Sequence, residues 1–249
     1  MSISPTERVA PAQWCSADVV SDQSGPHPRL QALVQRHRDH VSRRPLSHKP
    51  GGALAALEHE RAARGGAIVL DSGCGTGESS LALARAHPAA LVIGVDKSAA
   101  RLARAARLRA ANLRFLRSDV VDVWAFARAR GWTIAAHHLL YPNPWPKQRH
   151  LMRRWHGHPA LADIIALGGQ LELRTNWRTY AEEFALSLRL WTGSDVDLAV
   201  WHPQQPISGF ERKYLASGHT LYRVTAELSR ASSSAAAESR SYSVNRRIR

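Results

Sequence analysis

The chain has 249 residues, of which 34 are lysine or arginine and 20 are aspartate or glutamate, giving a formal net charge of +14. This length suits one large α/β domain, and a hydrophobic fraction of 44% excludes a largely disordered chain. No apolar run reaches the roughly 20 residues of a membrane span, and the two cysteines exclude a disulfide framework. We therefore expect a soluble, cytoplasmic protein, a monomer or weak homodimer, with an anionic partner and no contact with a membrane.

Arginine carries most of the positive charge, because only four of the 34 basic residues are lysines. The guanidinium group matches the geometry of phosphate, so this excess favours a nucleic acid as partner. Compositional bias is the alternative explanation, since the sequence is also rich in alanine.

Residues 1–48 lack sustained apolar periodicity and are predicted to form a basic, partly flexible arm with one short helix between Pro28 and Pro45. From residue 49 to 228, helical stretches alternate with predicted strands at 67–70, 91–95, 113–116, 133–141, 170–175, 196–201 and 219–228. Apolar runs without polar alternation are typical of buried parallel strands. The pattern predicts one α/β domain with a seven-stranded, mostly parallel sheet and helices on both faces. Residues 229–249 are predicted to be a flexible basic tail.

The most specific local pattern is a glycine-rich loop between the first predicted strand and a helix. The loop reads D-S-G-C-G-T-G, with glycines at Gly73, Gly75 and Gly77. Glycines let the backbone turn sharply and approach a ligand without a Cβ atom in the way. A structural turn and an NAD site are the alternatives for the loop alone.

Three acidic residues extend this pattern along the sheet. Asp71 precedes the glycines, and Asp96 and Asp119 end the second and third predicted strand regions. The carboxyl ends of parallel strands share one edge, so we expect these carboxylates to form one crevice. A carboxylate suits the cationic groups and the ribose hydroxyls of S-adenosylmethionine. The ordered set resembles class I S-adenosylmethionine-dependent methyltransferases, which implies a Rossmann-like sheet with that cofactor above its first two strands.

A proline-rich segment, predicted to form an arch, follows the fourth predicted strand and reads Y-P-N-P-W-P-K from residue 141 to 147. Tyr141 and Trp145 offer faces for stacking. The cations that follow are Lys147, Arg149, Arg153 and Arg154. Aromatic faces beside cations suit an unstacked base with its phosphates, whereas a surface loop with a solvated charged helix is the alternative.

The same segment is similar to a signature of bacterial tRNA (guanine-N7)-methyltransferases, F-P-D-P-W-x-K-x-R-H-x-K-R-R. Their later T-D-W-x-x-Y-A-E and T-x-F-E motifs resemble residues 175–184 and 208–213. The resemblance implies that Asp71, Asp96 and Asp119 hold the cofactor, and the predicted cofactor site also includes Gly73, Gly75, Gly77, Lys97 and Asn143. The resemblance assigns Lys147, Asn176, Ser208, Phe210 and Glu211 to the RNA substrate, and the cationic run adds Arg149, Arg153 and Arg154 to the predicted substrate site.

Two residues depart from the family motifs, since Asn143 and Asn176 stand where the motifs have aspartate. A carboxylate only accepts hydrogen bonds, whereas an amide also donates them and would face a donor of guanine. We expect the departures to affect the choice of target nucleotide more than reactivity, because the N7 atom of guanine already has a free lone pair.

The function predicted from the sequence is methyl transfer from S-adenosylmethionine to N7 of a guanosine in tRNA, with Asn143 as the catalytic residue that orients the base. The alternatives are a methyltransferase with a different base or a small-molecule substrate, and a non-catalytic RNA-binding relative. No metal is expected at the histidines 150, 156 and 158, because no second ligand cluster has matching spacing. The arginines of the helix at 98–111 are predicted to form a solvated outer face, with a surface that contacts RNA as the alternative.

Overall fold

The computed structural model describes residues 16–40 and 52–229. Residues 1–15, 41–51 and 230–249 lie outside the described part, and with them parts of the predicted arm and nearly all of the predicted tail.

The described residues form one sheet with seven strands. These are β1 (Ile68–Ser72), β2 (Leu91–Asp96), β3 (Leu113–Arg117), β4 (Ile134–Leu140), β5 (Gly169–Thr175), β6 (Asp197–Val200) and β7 (Tyr222–Leu228). Their order is β3-β2-β1-β4-β5-β7-β6, and β7 alone runs in the direction opposite to the other strands of this sheet. The predicted α/β fold with a seven-stranded, mostly parallel sheet is confirmed. All residues of β1 and β2 are buried, as their uninterrupted apolar runs predict.

Helices cover both faces of the sheet. They are α1 (Leu30–Asp39), α2 (Gly52–Arg64), α3 (Glu78–Ala86), α4 (Ala99–Ala105), α5 (Val120–Ala129), α6 (Leu161–Leu167), α7 (Arg178–Thr192) and α8 (Gly209–Ala216), with a 3₁₀ helix at Gln148–Arg153. Successive strand residues point to opposite faces. Leu70 accordingly joins the core cluster of Trp124 from α5, whereas Val69 joins that of Leu83 from α3.

The segment at 16–40 packs on the domain, which corrects its prediction as part of a partly flexible arm. Leu30, Leu33 and Val34 of α1 are buried in a cluster with Leu151, against which Leu190 of α7 also packs. Their spacing of three and four residues places them on one face of the helix. Residues 16–27, which we call the N-terminal strap, run in irregular backbone along the segment that follows β4. The folded unit therefore begins well before residue 49.

A buried carboxylate joins the N-terminal strap to α7. Glu183 is fully buried and accepts hydrogen bonds from Arg154 Nη1 at 2.5 Å and His156 Nε2 at 2.7 Å. It also accepts from Gln23 Nε2 at 2.5 Å and the backbone N–H of His27 at 2.8 Å. Burial alone would raise the pKa of Glu183, but the hydrogen bond and charge of His156 and the charge of Arg154 lower it to about 2. One ionised side chain thus fixes three segments of the chain.

None of the described helices is long and apolar enough to cross a membrane.

We predict that Glu183→Gln lowers the free energy of unfolding by about 3–5 kcal/mol, because Arg154 would stay buried without a counter-charge. The adjacent Glu182 is the matched control: it pairs with Arg178, whose side chain is 73% exposed. Glu182→Gln is expected to cost less than about 1 kcal/mol. Urea unfolding of both variants measures the difference, and equal costs would contradict the role given to Glu183.

The pH dependence follows from the lowered pKa of Glu183. A depressed pKa contributes stability that is present above the ordinary value and lost as the pH falls toward about 2. The difference in the free energy of unfolding between the native protein and Glu183→Gln should therefore become smaller as the pH is lowered toward about 2, as measured by urea unfolding at a series of pH values.

Candidate active site

The segment between β1 and α3 is a tight glycine loop at the carboxyl edge of the sheet. The N–H of Gly73 donates to the carbonyl oxygen of Val95 at 2.8 Å, which fixes the loop against β2. Gly77 has a φ of 81°, and a Cβ atom there would lie 2.6 Å from the ring of Phe115. Gly75 has a φ of 57°, and a Cβ atom there would meet no described atom within 4 Å. The loop is therefore packed from below at Gly77 and faces open space at Gly75.

Asp71 lies beneath this loop at the end of β1. Its Oδ2 atom accepts hydrogen bonds from the Oγ atoms of Ser79 and Ser80, at 2.7 and 2.6 Å. Burial raises the pKa of Asp71, and the two serine hydroxyls oppose that rise. Since the residue is only 1% exposed, its carboxylate anchors the first turn of α3 and shapes the loop from within. Any effect of Asp71 on a ligand acts through the loop.

Asp96 connects the glycine loop to the start of α4. Its Oδ2 atom accepts from the N–H of Gly75 at 3.0 Å, and its Oδ1 atom accepts from the N–H of Ser98 at 2.8 Å. Asp119 is exposed beyond β3, where its Oδ1 atom accepts from the N–H of Val121 and caps α5. Lys97 is exposed next to Asp96. The acids thus lie at the carboxyl ends of three adjacent strands, as the sequence predicts.

A groove of about 360 Å³ opens between the glycine loop and α8. One wall carries Gly73, Gly75, Thr76, Arg101 and Arg104, and the other carries Leu140, Ser208, Phe210 and Lys213. An ion pair between Glu78 of α3 and Arg212 of α8 joins the two sides. Arg101 and Arg104 line the groove, and both are exposed, in keeping with their prediction as part of a solvated face. Ser208 caps α8, and Phe210 is 46% exposed.

The arch at 141–147 leaves β4 in a strained conformation. Tyr141 and Trp145 have φ angles of 53° and 47°, in the left-handed region that non-glycine residues rarely adopt. Strain of this kind persists only where surrounding contacts hold it, and it is typical of functional sites. The N–H of Tyr141 donates to the carbonyl of Arg174 at 2.7 Å, and the carbonyl of Trp145 accepts from Arg154 Nε at 3.1 Å. The Oγ atom of Ser21 in the N-terminal strap donates to the carbonyl of Pro146 at 2.7 Å.

Glu211 supports the arch from the interior instead of facing the groove, which corrects its prediction as a contact to the substrate. It is fully buried, and its Oε1 atom accepts from Tyr141 Oη, Arg174 Nη1 and Trp201 Nε1 at 2.7, 2.9 and 3.0 Å. Its Oε2 atom accepts from the N–H of Ile207 at 2.8 Å. Burial, reinforced by the negative charge of Glu211, raises the pKa of Tyr141, so this phenol keeps its proton and donates.

The cationic run after the arch divides into buried and exposed members. Arg154 is fully buried: it pairs with Glu183, and its guanidinium lies 4.8 Å from the ring centroid of Trp177. Its prediction as a substrate-binding residue is therefore wrong, because no phosphate can reach it. Lys147, Arg149 and Arg153 are exposed, and the guanidinium of Arg153 lies 4.7 Å from the ring centroid of Trp145.

The two asparagines have different surroundings. Asn143 is exposed in the arch, and its Oδ1 atom accepts from the N–H of Trp145 at 3.4 Å. Asn176 directly follows β5 and is half-buried, with its Nδ2 atom 3.0 Å from His219 Nδ1. Nothing in the local sequence around His219 distinguishes it from the other histidines of the chain, so the sequence does not predict its place beside Asn176.

The described residues contain no group of three histidine, cysteine, aspartate or glutamate side chains that could hold a metal ion. Burial raises the pKa of the Cys74 thiol in the glycine loop, so this cysteine stays protonated.

A family model described as "Putative methyltransferase" matches residues 66–224. Among curated proteins, the tRNA (guanine-N(7)-)-methyltransferase of Thiobacillus denitrificans is 31% identical over 164 residues, which cover 62% of this chain and 72% of that protein. The enzyme of the same name from Leifsonia xyli subsp. xyli is 33% identical and covers 61% of this chain and 72% of that protein. The chain belongs to this methyltransferase family.

The fold of this family member also agrees with that of a solved methyltransferase. The 16S rRNA methyltransferase KamB superposes with a TM-score of 0.51 at 18% identity, covering 73% of this chain and 95% of that one. At this identity the likeness shows the shared fold alone.

We predict that Gly77→Ala destabilises the loop more than Gly75→Ala does. Both residues have positive φ angles, but only at Gly77 does an added Cβ atom collide with packed side chains, those of Phe115 and Ala105. Thermal unfolding should show the larger decrease for Gly77→Ala, by about 1–3 kcal/mol beyond the backbone cost that the two variants share. Equal decreases would mean that Phe115 moves aside.

Proposed function

We propose that this chain transfers a methyl group from S-adenosylmethionine to N7 of a guanosine in tRNA, in the cytoplasm. The observation that carries the proposal is the groove itself. It lies between the glycine loop, which Asp71 and Asp96 support, and α8. Its lining residue Leu140 ends β4, directly before the strained aromatic arch and the exposed cations that follow it. The relatives named tRNA (guanine-N(7)-)-methyltransferase support this choice of substrate.

The cofactor is assigned to the glycine-loop side of the groove. Gly73 and Gly75 offer backbone that a ligand can approach, because a Cβ atom at either position would meet no described atom within 4 Å. The carboxylate of Asp96 is assigned to accept hydrogen bonds from the ribose hydroxyls of the cofactor. The other residues assigned to the cofactor are Gly77, Lys97, Asp119 and Asn143, together with Asp71, which acts through the loop. When bound, S-adenosylmethionine supplies an electrophilic methyl group on a sulfonium centre.

The base is assigned to the α8 side of the groove, next to the arch that follows Leu140. N7 of guanine carries a free lone pair, so the chain need not remove a proton from it, and its contribution is orientation. Phe210 offers an exposed aromatic face for stacking. Asn143, the proposed catalytic residue, is exposed in the arch, three residues after the groove-lining Leu140. Asn176 and Ser208 complete the proposed contacts to the nucleotide.

The RNA backbone is assigned to a cationic face that continues from the arch to α1. Lys147, Arg149 and Arg153 are exposed just after the arch. Arg149 also lines a cavity of about 410 Å³ together with Arg29 and Arg36. No acidic residue of the described part is ion-paired with these three arginines. Unpaired guanidinium groups around a concave surface suit phosphates.

A transfer assay tests the proposed reaction. The full chain, bulk tRNA lacking 7-methylguanosine and S-adenosylmethionine with a labelled methyl group should yield labelled 7-methylguanosine on nucleoside mass spectrometry. Asp96→Ala is expected to abolish transfer and to weaken cofactor binding at least tenfold by calorimetry, since an acceptor for the ribose would be lost at about 1.4 kcal/mol or more. Asp195→Ala, at an exposed residue between α7 and β6, is the control that should change neither. Label in another nucleoside, or none with the native chain, would refute the proposal.

Salt dependence tests the assignment of the RNA backbone. Arg149→Ala should weaken tRNA binding and reduce the slope of log Kd against log salt by about one, the value for one lost phosphate contact. Arg85→Ala is the matched control, because this exposed arginine lies in the last turn of α3, where the helix leads away from the carboxyl edge. Filter binding between about 50 and 200 mM salt measures both slopes. An unchanged slope for Arg149→Ala would place the phosphates elsewhere.

A further inference from the structure

The amide of Asn176 is positioned at the edge of the sheet where the arch begins. It follows β5, and the parallel neighbour β4 leads into Tyr141 at the same edge. Either end of an amide could face a ligand there, and the choice decides the chemistry, because the oxygen accepts hydrogen bonds and the nitrogen donates them. The contacts of His219 decide between the two orientations.

The protonation of the His219 ring follows from its contact with the N-terminal strap. Nε2 lies 2.8 Å from the carbonyl oxygen of Ser16, which can only accept, so Nε2 carries a proton. In the neutral ring Nδ1 then presents a lone pair. The exposed carboxylate of Asp18 is 3.6 Å from Nδ1, which is too long for a hydrogen bond.

The orientation of the Asn176 amide follows in turn. Nδ1 of His219 needs a donor, and Asn176 Nδ2 supplies it at 3.0 Å. The donor end of the amide is thus turned toward the protein. No described side chain or backbone group donates to Asn176 Oδ1, which leaves the oxygen as the end available to a ligand.

The same histidine belongs to the aromatic wall beside the arch. The ring of Tyr214 lies 5.3 Å from that of His219 and 5.5 Å from that of Tyr141, centroid to centroid. Tyr214 also stacks on Phe210, the exposed aromatic residue of the groove, at 6.1 Å. His219 and Asn176 are therefore connected through Tyr214 to Phe210, which lines the side of the groove that the proposed function assigns to the base.

We propose that His219 is a positioning residue that orients Asn176 so that its amide oxygen reads the target base. An oxygen acceptor is complementary to the N1–H and N2–H donors of guanine, and it disfavours adenine, whose N1 is an acceptor. Asn176 thereby performs the accepting role of a carboxylate without its charge. This inference rests on the proposed function, because it concerns the base bound in the same groove.

A rescue experiment separates positioning from a merely structural role. His219→Phe keeps a ring against Tyr214 but lets the amide of Asn176 rotate, so kcat/KM for guanosine-containing tRNA should fall about tenfold, through KM more than kcat. The double variant His219→Phe with Asn176→Asp should recover to within about threefold of the native value, because either oxygen of a carboxylate accepts. His59→Phe, at an exposed histidine of α2, is the control expected to behave like the native chain.

The outcomes are distinct. Native-like kinetics of His219→Phe, or a loss that Asn176→Asp does not rescue, would overturn the positioning role. Absence of 7-methylguanosine with the native chain would instead refute the proposed function.

A measurement on the native chain keeps the inference testable if His219→Phe fails to fold. Long-range ¹H–¹⁵N NMR near neutral pH should show His219 as the tautomer with its proton on Nε2, and the signals are assigned by their loss in His219→Gln. A proton on Nδ1 would reverse the amide and contradict the inference.

Discussion

The arch and the N-terminal strap depend on one buried charge, the carboxylate of Glu183. Removing an ion from water costs several kcal/mol unless charge and hydrogen bonds replace the lost hydration. Here Arg154, His156, Gln23 and the backbone of His27 provide that replacement. Arg154 also donates to the carbonyl oxygens of Trp145 and Lys147. The ion pair between Arg154 and Glu183 therefore also holds the arch in place.

A second buried carboxylate, Glu211, acts on the other end of the arch. It binds Tyr141 and Arg174, and Arg174 in turn donates to Glu172 Oε1 at 2.6 Å. The arch is thus fixed at Tyr141 by one hydrogen-bond network and at Trp145 by another, which explains how two non-glycine residues retain left-handed backbone. The exposed cations and Asn143 lie between or beside these fixed points, so the buried networks set the geometry of the segment that the proposed function assigns to the RNA.

The sequence predicts the sheet, the glycine loop and the placement of Asp71, Asp96 and Asp119, because these follow from local apolar runs and from the shared edge of parallel strands. It fails for Arg154 and Glu211, which read as solvated or substrate-facing residues and are buried. Their burial depends on partners distant in sequence: Glu183 is 29 residues from Arg154, and Tyr141 is 70 residues from Glu211. Local pattern carries no signal of such pairings. For the same reason the sequence does not predict that α1 packs on the domain, because its buried face has only three apolar residues, Leu30, Leu33 and Val34.

The N-terminal strap lies outside the stretch that matches the family model, although it packs against that stretch. The stretch shared with the methyltransferase family model begins at residue 66, yet Gln23 and His27 supply two of the four donors to Glu183, and Ser16 holds His219. The stretch that matches the family model is therefore shorter than the stretch of chain that packs together as one folded unit. A gene fragment cut at the limits of the family match would keep every residue predicted to contact the cofactor, and it would lose the segment that supports Glu183 and His219.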